Sequence, residues 1–215
     1  MLKRLQQSMR RFAGESPGSS VEIIVSFIVI VYDMPGQAQN TVRSLFSDYQ
    51  RDVRPQDYEV LIVENESDNT MSPEFISTLP ANFSYHLRKE TQPTPIHAIN
   101  YGLEHARGEN ICVVIDGARL LTPGVVKNTI LGHRLSSRAI VTVPGYHLGF
   151  ELQQKAVGSG YDVDEEKDLM ASIGWPENGY RLFEISCFSG SSARGFYAAH
   201  SESNCISMPR KVWQD

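Results

Sequence analysis

Short apolar runs alternate with segments of helical periodicity through the first two-thirds of this chain. The runs that predict strands span residues 21–32, 58–63, 83–87, 110–115 and 139–144. The segments that predict helices span residues 37–49, 73–79, 95–106 and 124–135. This alternation predicts an α/β protein, in which right-handed crossovers build a mostly parallel, twisted sheet flanked by helices.

The run at 110–115 is the most informative of these strands. Its apolar residues are continuous rather than alternating, as is typical of a strand covered on both faces. The run ends at Asp116, and the strands before it end in polar loops that contain Asp33 and residues 64–69. Open α/β sheets bind ligands at the carboxyl ends of their strands, so we expect these loops to gather at one ligand-binding edge.

Composition and charge exclude several classes of protein. The net charge of −5 argues against a nucleic-acid partner. No G-x-G-x-x-G or G-x-x-x-x-G-K-[ST] motif follows the first strand, which disfavours a dinucleotide oxidoreductase and a P-loop nucleotidase. Cys112, Cys187 and Cys205 are widely spaced, so we expect reduced thiols and a cytoplasmic protein.

The two ends of the chain differ from its middle. Residues 1–20 form a basic leader and linker, which is either a solvated tail or, over residues 1–13, an amphipathic helix on an anionic membrane surface. Residues 145–215 continue the same domain, with a helix predicted at 165–173, a mobile loop at 186–194 and a strand at 205–208. Gly108 is predicted to cap the helix at 95–106.

The chain resembles family 2 glycosyltransferases of the GT-A fold in three segments. These are VSFIVIVYDMPGQAQNTVRSLFSDY, DYEVLIVENESDNT and IHAINYGLEHARGENICVVIDGARLLTPG. The resemblance implies a GT-A-like, Rossmann-like sheet with a nucleotide-sugar-binding half at 21–144 and an acceptor-side half at 145–215. It also implies inverting transfer from a nucleotide-diphosphate sugar to a hydroxyl of a saccharide, lipid or protein. Such a reaction would serve polysaccharide biosynthesis, either in the cytoplasm or at the inner face of the membrane.

The resemblance also implies which residues bind the nucleotide sugar. Carried over, these are Val31, Tyr32, Asp33, Glu64, Asn65, Asp116 and Arg119. The first three would flank the base, Asn65 would meet the base edge, and Asp116 would be the first acid of the metal-binding D-x-D signature. Arg88 and Lys89, at the end of the third strand, either face phosphate or, as the favoured interpretation, belong to a solvated face.

The signature departs from the family pattern at its second acid, which is Ala118 here. Mg²⁺ or Mn²⁺ would then be held weakly, through Asp116, phosphate oxygens and water. Arg119 offers a metal-independent alternative, because a guanidinium binds phosphate bidentately. Both alternatives stay open.

The catalytic base is harder to assign, because the sequence stops at Asp215, before the family's usual base. Glu202 or another upstream carboxylate is expected to substitute, unless the chain is a fragment. Trp175 and Tyr180 either contact a sugar or anchor the core. The alternative functions are a non-catalytic nucleotide-sugar-binding or scaffold domain and, less favoured, a nucleotidyltransferase.

Overall fold

A computed structural model describes residues 23–90, 94–115, 119–152, 155, 162–195 and 204–214. The strands are β1 (Val25–Val31), β2 (Tyr58–Asn65), β3 (Phe83–Arg88), β4 (Asn110–Val114), β5 (Val141–Thr142), β6 (Tyr146–Leu148), β7 (Ser186–Phe188) and β8 (Ile206–Pro209). The helices are α1 (Pro35–Arg43), α2 (Pro73–Ile76), α3 (Ile96–His105), α4 (Val125–Leu135), α5 (Val163–Ser172) and α6 (Arg210–Gln214). Short 3-10 helices span Pro55–Asp57, Gly179–Glu184 and Gly190–Ser192.

Six strands form the main sheet in the order β3-β2-β1-β4-β8-β5. The first four are parallel, which confirms the predicted α/β sheet. Strand β8 runs antiparallel between β4 and β5, and β6 and β7 form a separate antiparallel pair. Because β8 comes from the end of the chain, residues of both predicted halves belong to one sheet. The division into donor and acceptor halves stays a prediction.

Strands β1 and β2 are buried along their whole length, as continuous apolar runs predict. Successive side chains point to opposite faces, so Phe27 and Val29 pack with α1 and α4 on one face. Ile28 and Ile30 pack on the other face, in the cluster that includes Ala98 of α3. The sheet is therefore covered on both sides, and its carboxyl edge is left for the loops.

The predicted helix at 37–49 is too long, since α1 ends at Arg43. Polar side chains take over the last carbonyls there, because Ser44 Oγ donates to the Thr41 carbonyl and Gln50 Nε2 donates to the Ser44 carbonyl. The segment 186–194, predicted as a mobile loop, instead contains β7 and a 3-10 helix, and its mobility stays a prediction. The leader at 1–20 lies outside the described residues. Among the residues described, none of the helices has the length and apolar character needed to cross a bilayer.

Gly108 does not cap α3, whose last residue is His105 and whose cap is Ala106. Instead, Gly108 passes close to the start of β1, where its N–H donates to Ser26 Oγ at 2.8 Å. A Cβ atom at this position would lie 2.6 Å from the Ser26 backbone nitrogen. Glycine is thus required by backbone approach rather than by a left-handed conformation.

Candidate functional site

The loops that follow β1 and β2 meet at the carboxyl edge of the sheet. Asn69 Nδ2 donates to Asp33 Oδ1 at 3.0 Å, which ties one loop to the other. Asp33 has a φ of 51°, a conformation that Asp tolerates better than most residues. The ring of Tyr32 beside it is 58% exposed. The loops after β1 and β2 are therefore brought together, as predicted. The third predicted loop begins at Asp116, and residues 116–118 lie outside the described residues. The role of Asp116 stays a prediction.

Glu64 turns into the fold rather than toward the edge. Its side chain is fully buried, both carboxylate oxygens accept the Met71 N–H at 3.1 and 3.2 Å, and one accepts the Tyr85 hydroxyl at 2.6 Å. Burial, followed by the hydrogen bond to Glu64, raises the pKa of Tyr85. The expected direct contact of Glu64 with a nucleotide does not fit this placement, because protein donors occupy the carboxylate. The geometry makes Glu64 the anchor of residues 66–71.

Val31 has a similar placement. Its side chain is fully buried in the core, so only its backbone is near the edge. The exposed groups that follow β1 are Tyr32 and Asp33, and these are the ones that can contact a ligand.

Asn65 and Arg88 lie side by side at the ends of β2 and β3. Asn65 Oδ1 and Arg88 Nε are buried and have no hydrogen-bond partner among the described residues. The Arg88 guanidinium also lies 4.4 Å from the centre of the Tyr101 ring. Buried polar atoms nearly always have partners, so both atoms are candidates for hydrogen bonds to a water molecule or a ligand. The burial of Arg88 Nε differs from the solvated side chain that the sequence analysis favoured.

The end of β4 is held by a residue that the sequence analysis did not select. Asn204 Oδ1 accepts the Ile115 N–H at 2.9 Å, and Asn204 Nδ2 donates to the Ile115 carbonyl at 2.6 Å. The amide side chain therefore pairs with the strand as a further backbone residue would. Its partner is 89 positions away, so no local pattern could have revealed it. Glu202 lies outside the described residues, and its catalytic role stays a prediction.

A cavity of about 560 Å³ adjoins this edge. It lies between the start of α1, the loop after β4, strands β5 to β7 and helix α5, and Arg119 lies in its wall. The Arg119 N–H donates to Thr41 Oγ1 at 2.8 Å, which fixes the loop against α1. This cavity is hereafter called the α1–α5 cavity.

Glu166 contributes a carboxyl group to the α1–α5 cavity. Burial raises the pKa of Glu166, and a hydrogen bond from the side chain of Gln37 opposes part of that rise. The acids of the first turn of α5 fit the helix dipole, but Glu165 is exposed whereas Glu166 is partly buried. The available signal was spacing, because Glu166 precedes the buried Met170 by four residues and the buried Ile173 by seven.

The aromatic side chains of the second half divide into two groups. Trp175 is partly buried, and its Nε1–H donates to the Tyr49 hydroxyl at 3.4 Å, so it anchors the core. Tyr146 and Phe183, by contrast, line the α1–α5 cavity with ring centres 5.2 Å apart, and Phe183 is 49% exposed. Tyr180 also lines the cavity and is exposed.

The residues that the structure describes do not by themselves form a metal site. Among the described residues, no group of three His, Cys, Asp or Glu could hold a metal ion. Ala118 offers no ligand, and the Asn204 amide at the end of β4 is committed to the backbone of Ile115. Asp116 alone would leave most of the coordination shell to phosphate and water.

The sheet order and the strand-end loops define an α/β fold of the GT-A type. Residues 26–147 match the sequence profile described as Glycosyl transferase family 2, which is more than half of the chain. The chain belongs to this family. No curated protein sequence matches it.

Three solved structures are similar to the chain in fold. The structure of S. aureus TarS 1–349 in complex with UDP-GlcNAc has a TM-score of 0.50 and 18% identity, and the match covers 57% of this chain and 34% of the TarS 1–349 chain. The mannosyltransferase PcManGT from Pyrobaculum calidifontis, in complex with GDP-Man and Mn²⁺, has a TM-score of 0.49 and 19% identity, and the match covers 67% of this chain and 43% of PcManGT. The 4-diphosphocytidyl-2C-methyl-D-erythritol synthase from Anaerococcus prevotii has a TM-score of 0.46 and 12% identity, and the match covers 88% of this chain and 71% of the synthase. The chain thus spans about a third of the TarS 1–349 chain and 21% of the longer TarS chain.

Proposed function

We propose that the chain binds a nucleotide-diphosphate sugar at the carboxyl edge of its sheet and transfers the sugar to an acceptor hydroxyl with inversion. Family membership supports a transferase. The observation that supports a ligand at this edge is that Asn65 Oδ1 and Arg88 Nε have no hydrogen-bond partner in the part of the chain that the structure describes. TarS, which shares the fold, was solved with a donor of this class.

The residues at the edge divide the recognition of the nucleotide among them. The exposed ring of Tyr32 stacks on the base, while Asn65 and Arg88 bind polar atoms of the base edge. Asp33, held by Asn69, positions the nucleoside beside β1. Glu64 fixes the loop after β2 by accepting the Met71 N–H.

The reaction needs the negative charge of the leaving diphosphate to be balanced. Arg119 lies in the loop after β4, and its guanidinium can bind two phosphate oxygens. The acceptor oxygen attacks the anomeric carbon, and the electron pair of the breaking C–O bond leaves with the nucleoside diphosphate. A contribution of a divalent metal through Asp116 stays a prediction. The cytoplasmic location, the role in polysaccharide assembly and the membrane contact through residues 1–13 also stay predictions.

Calorimetric titration with UDP, GDP and their sugars, with and without Mn²⁺, tests this proposal. We expect one nucleotide to bind, and Asn65→Ala to weaken its binding about tenfold through loss of about 1.4 kcal/mol. Glu74→Ala, on the exposed side of α2, is the matched control and should bind as the wild type does. The absence of nucleotide binding would overturn the proposal.

The same titrations separate the two ways of neutralising the diphosphate. If Arg119 does so, Arg119→Ala should lose affinity for the diphosphate but keep its affinity for the nucleoside monophosphate. If a metal does so, omission of Mn²⁺ or the change Asp116→Ala should have that effect instead. Nucleotide binding without turnover of any donor sugar, under every metal condition, would support the non-catalytic alternative.

A further inference from the structure

We propose that the α1–α5 cavity binds a saccharide acceptor and that the Glu166 carboxylate receives the proton of its attacking hydroxyl. This inference rests on the proposed function, because it assigns the second substrate of the same transfer. It concerns residues of α5 and of the β6–β7 region, which lie outside the nucleotide edge.

The lining of the cavity has the chemistry that a sugar ring requires. A pyranose ring has apolar C–H faces and a rim of hydroxyl groups. Tyr146 and Phe183 supply aromatic faces at the cavity wall, and Gln37, Asn128 and Glu166 supply side chains that can bind hydroxyl groups. A purely apolar acceptor would leave these amide and carboxylate groups without partners. The mixed wall therefore favours a saccharide.

The cavity also has the right size and position. Its volume of about 560 Å³ lies within the range of small-molecule sites, roughly 300–1,000 Å³. Arg119, assigned to the diphosphate, lies in the same wall as the residues of the proposed acceptor site. A saccharide bound here would thus share one cavity with the reacting end of the donor.

Glu166 is placed to accept a proton inside this space. Partial burial beside the cavity favours the neutral form of the carboxyl group, which makes the carboxylate a stronger base, and the side chain of Gln37 on α1 opposes part of this effect. As the acceptor oxygen bonds to the anomeric carbon, its proton moves to the Glu166 carboxylate. The bond from the anomeric carbon to the diphosphate breaks, and its electron pair leaves with the nucleoside diphosphate.

Charged and titratable groups from several elements line the cavity together with Glu166. Arg119 lies in the cavity wall from the loop after β4, His147 and Tyr146 from β6, Tyr180 from the 3-10 helix, and Cys205 from the turn before β8. On α5 itself, Lys167 pairs with Asp164 at 2.9 Å, and its positive charge also lowers the pKa of Glu166.

Saturation-transfer NMR of the full chain, saturated with the nucleotide that it binds, tests the acceptor site. The probes are glucose, galactose, mannose, N-acetylglucosamine, their disaccharides and octyl glucoside. We expect at least one saccharide to bind, and Phe183→Ala to weaken it at least fivefold. Phe150→Ala, which removes another exposed phenylalanine outside the cavity lining, should have no effect.

Several outcomes would overturn this part of the inference while nucleotide binding, and so the proposed function, stands. One is that none of the saccharides binds. Another is that Phe183→Ala and Phe150→Ala bind equally well. A third is that saturation reaches only the alkyl chain of octyl glucoside, which would indicate a lipid acceptor.

The role of Glu166 is tested by the rate of transfer from the bound donor to the bound saccharide. We expect Glu166→Gln to lower kcat about 100-fold or more, with the donor KM and nucleotide affinity unchanged. The acidic limb of the pH–rate profile should disappear. Glu165→Gln, one residue away and exposed, should keep both rate and profile. A Glu166→Gln enzyme with wild-type kcat, or a wild type that transfers to none of the bound saccharides, would overturn the assignment.

Discussion

Two carboxyl groups, Glu64 and Glu166, lie in contrasting regions of this molecule. Glu64 ends a central strand, is fully buried, and accepts hydrogen bonds from Met71 and Tyr85. Glu166 lies on a helix at the cavity wall, partly buried, with a pKa raised by desolvation. The Glu64 carboxylate accepts hydrogen bonds from protein donors, so it stabilises a loop. The Glu166 carboxylate is desolvated beside a cavity, so it stays available for a substrate.

The contrast extends to the two regions around these groups. Around Glu64, strands β1 and β2 are buried on both faces and the loops are tied together by side-chain hydrogen bonds. Around Glu166, strands β5 to β7 have two or three residues each, and aromatic rings remain exposed at the cavity. A rigid edge suits recognition of an invariant nucleotide, whereas an open cavity suits a variable acceptor.

The largest effect is expected for Glu64→Ala. The substitution leaves the Met71 N–H and the Tyr85 hydroxyl buried without an acceptor and opens a void, so we expect the free energy of unfolding to fall by about 4 kcal/mol. Urea denaturation measures this change. Glu66→Ala, two residues later and exposed, should change it by less than about 0.5 kcal/mol. Equal effects of the two substitutions would contradict the anchoring role of Glu64.

Asn204→Ala should have the next largest effect. It removes both hydrogen bonds to the backbone of Ile115 in a buried setting, so we expect a loss of about 2 kcal/mol. Because Ile115 directly precedes Asp116, nucleotide binding should weaken as well. Asn100→Ala, on an exposed position of α3, is the control for loss of an asparagine side chain. Unchanged stability in Asn204→Ala would show that the end of β4 does not depend on this amide.

The sequence predicted the parallel sheet well, because buried strands and amphipathic helices leave local patterns. It also predicted that the loops at Asp33 and residues 64–69 come together. It could not predict which of Glu64 and Asn65 turns inward, since both are polar residues at the end of one strand. Asn204 and Glu166 were missed for a related reason. Their roles depend on Ile115 and Gln37, which are distant in sequence.

Tyr49→Phe tests the junction between the two regions and should have a smaller effect. The Tyr49 hydroxyl donates to the Leu121 carbonyl at 2.8 Å and accepts from Trp175 Nε1–H at 3.4 Å. Its removal should lower the free energy of unfolding by about 1 kcal/mol, measured by urea denaturation. Tyr32→Phe removes an exposed hydroxyl and should be neutral. If both variants are equally stable, the Trp175 segment is not held to the first region by this hydroxyl.

The smallest effect, and the one of opposite sign, is expected for Glu166→Gln. In the unfolded chain Glu166 titrates near its ordinary pKa of 4.5, whereas burial raises its pKa in the folded protein. The folded state thus favours the protonated form, and this stabilisation is present below pH 4.5 and lost as the pH rises through the raised pKa. Glutamine avoids the desolvated charge, so the free energy of unfolding of the variant should rise by up to about 1 kcal/mol at pH 8 and should not change at pH 4.

Thermal unfolding at both pH values measures this change in stability, with Glu165→Gln as control. A variant less stable than the wild type at pH 8 would mean that the Glu166 carboxylate stabilises the fold, as Glu64 does, and the contrast between the two regions would fail.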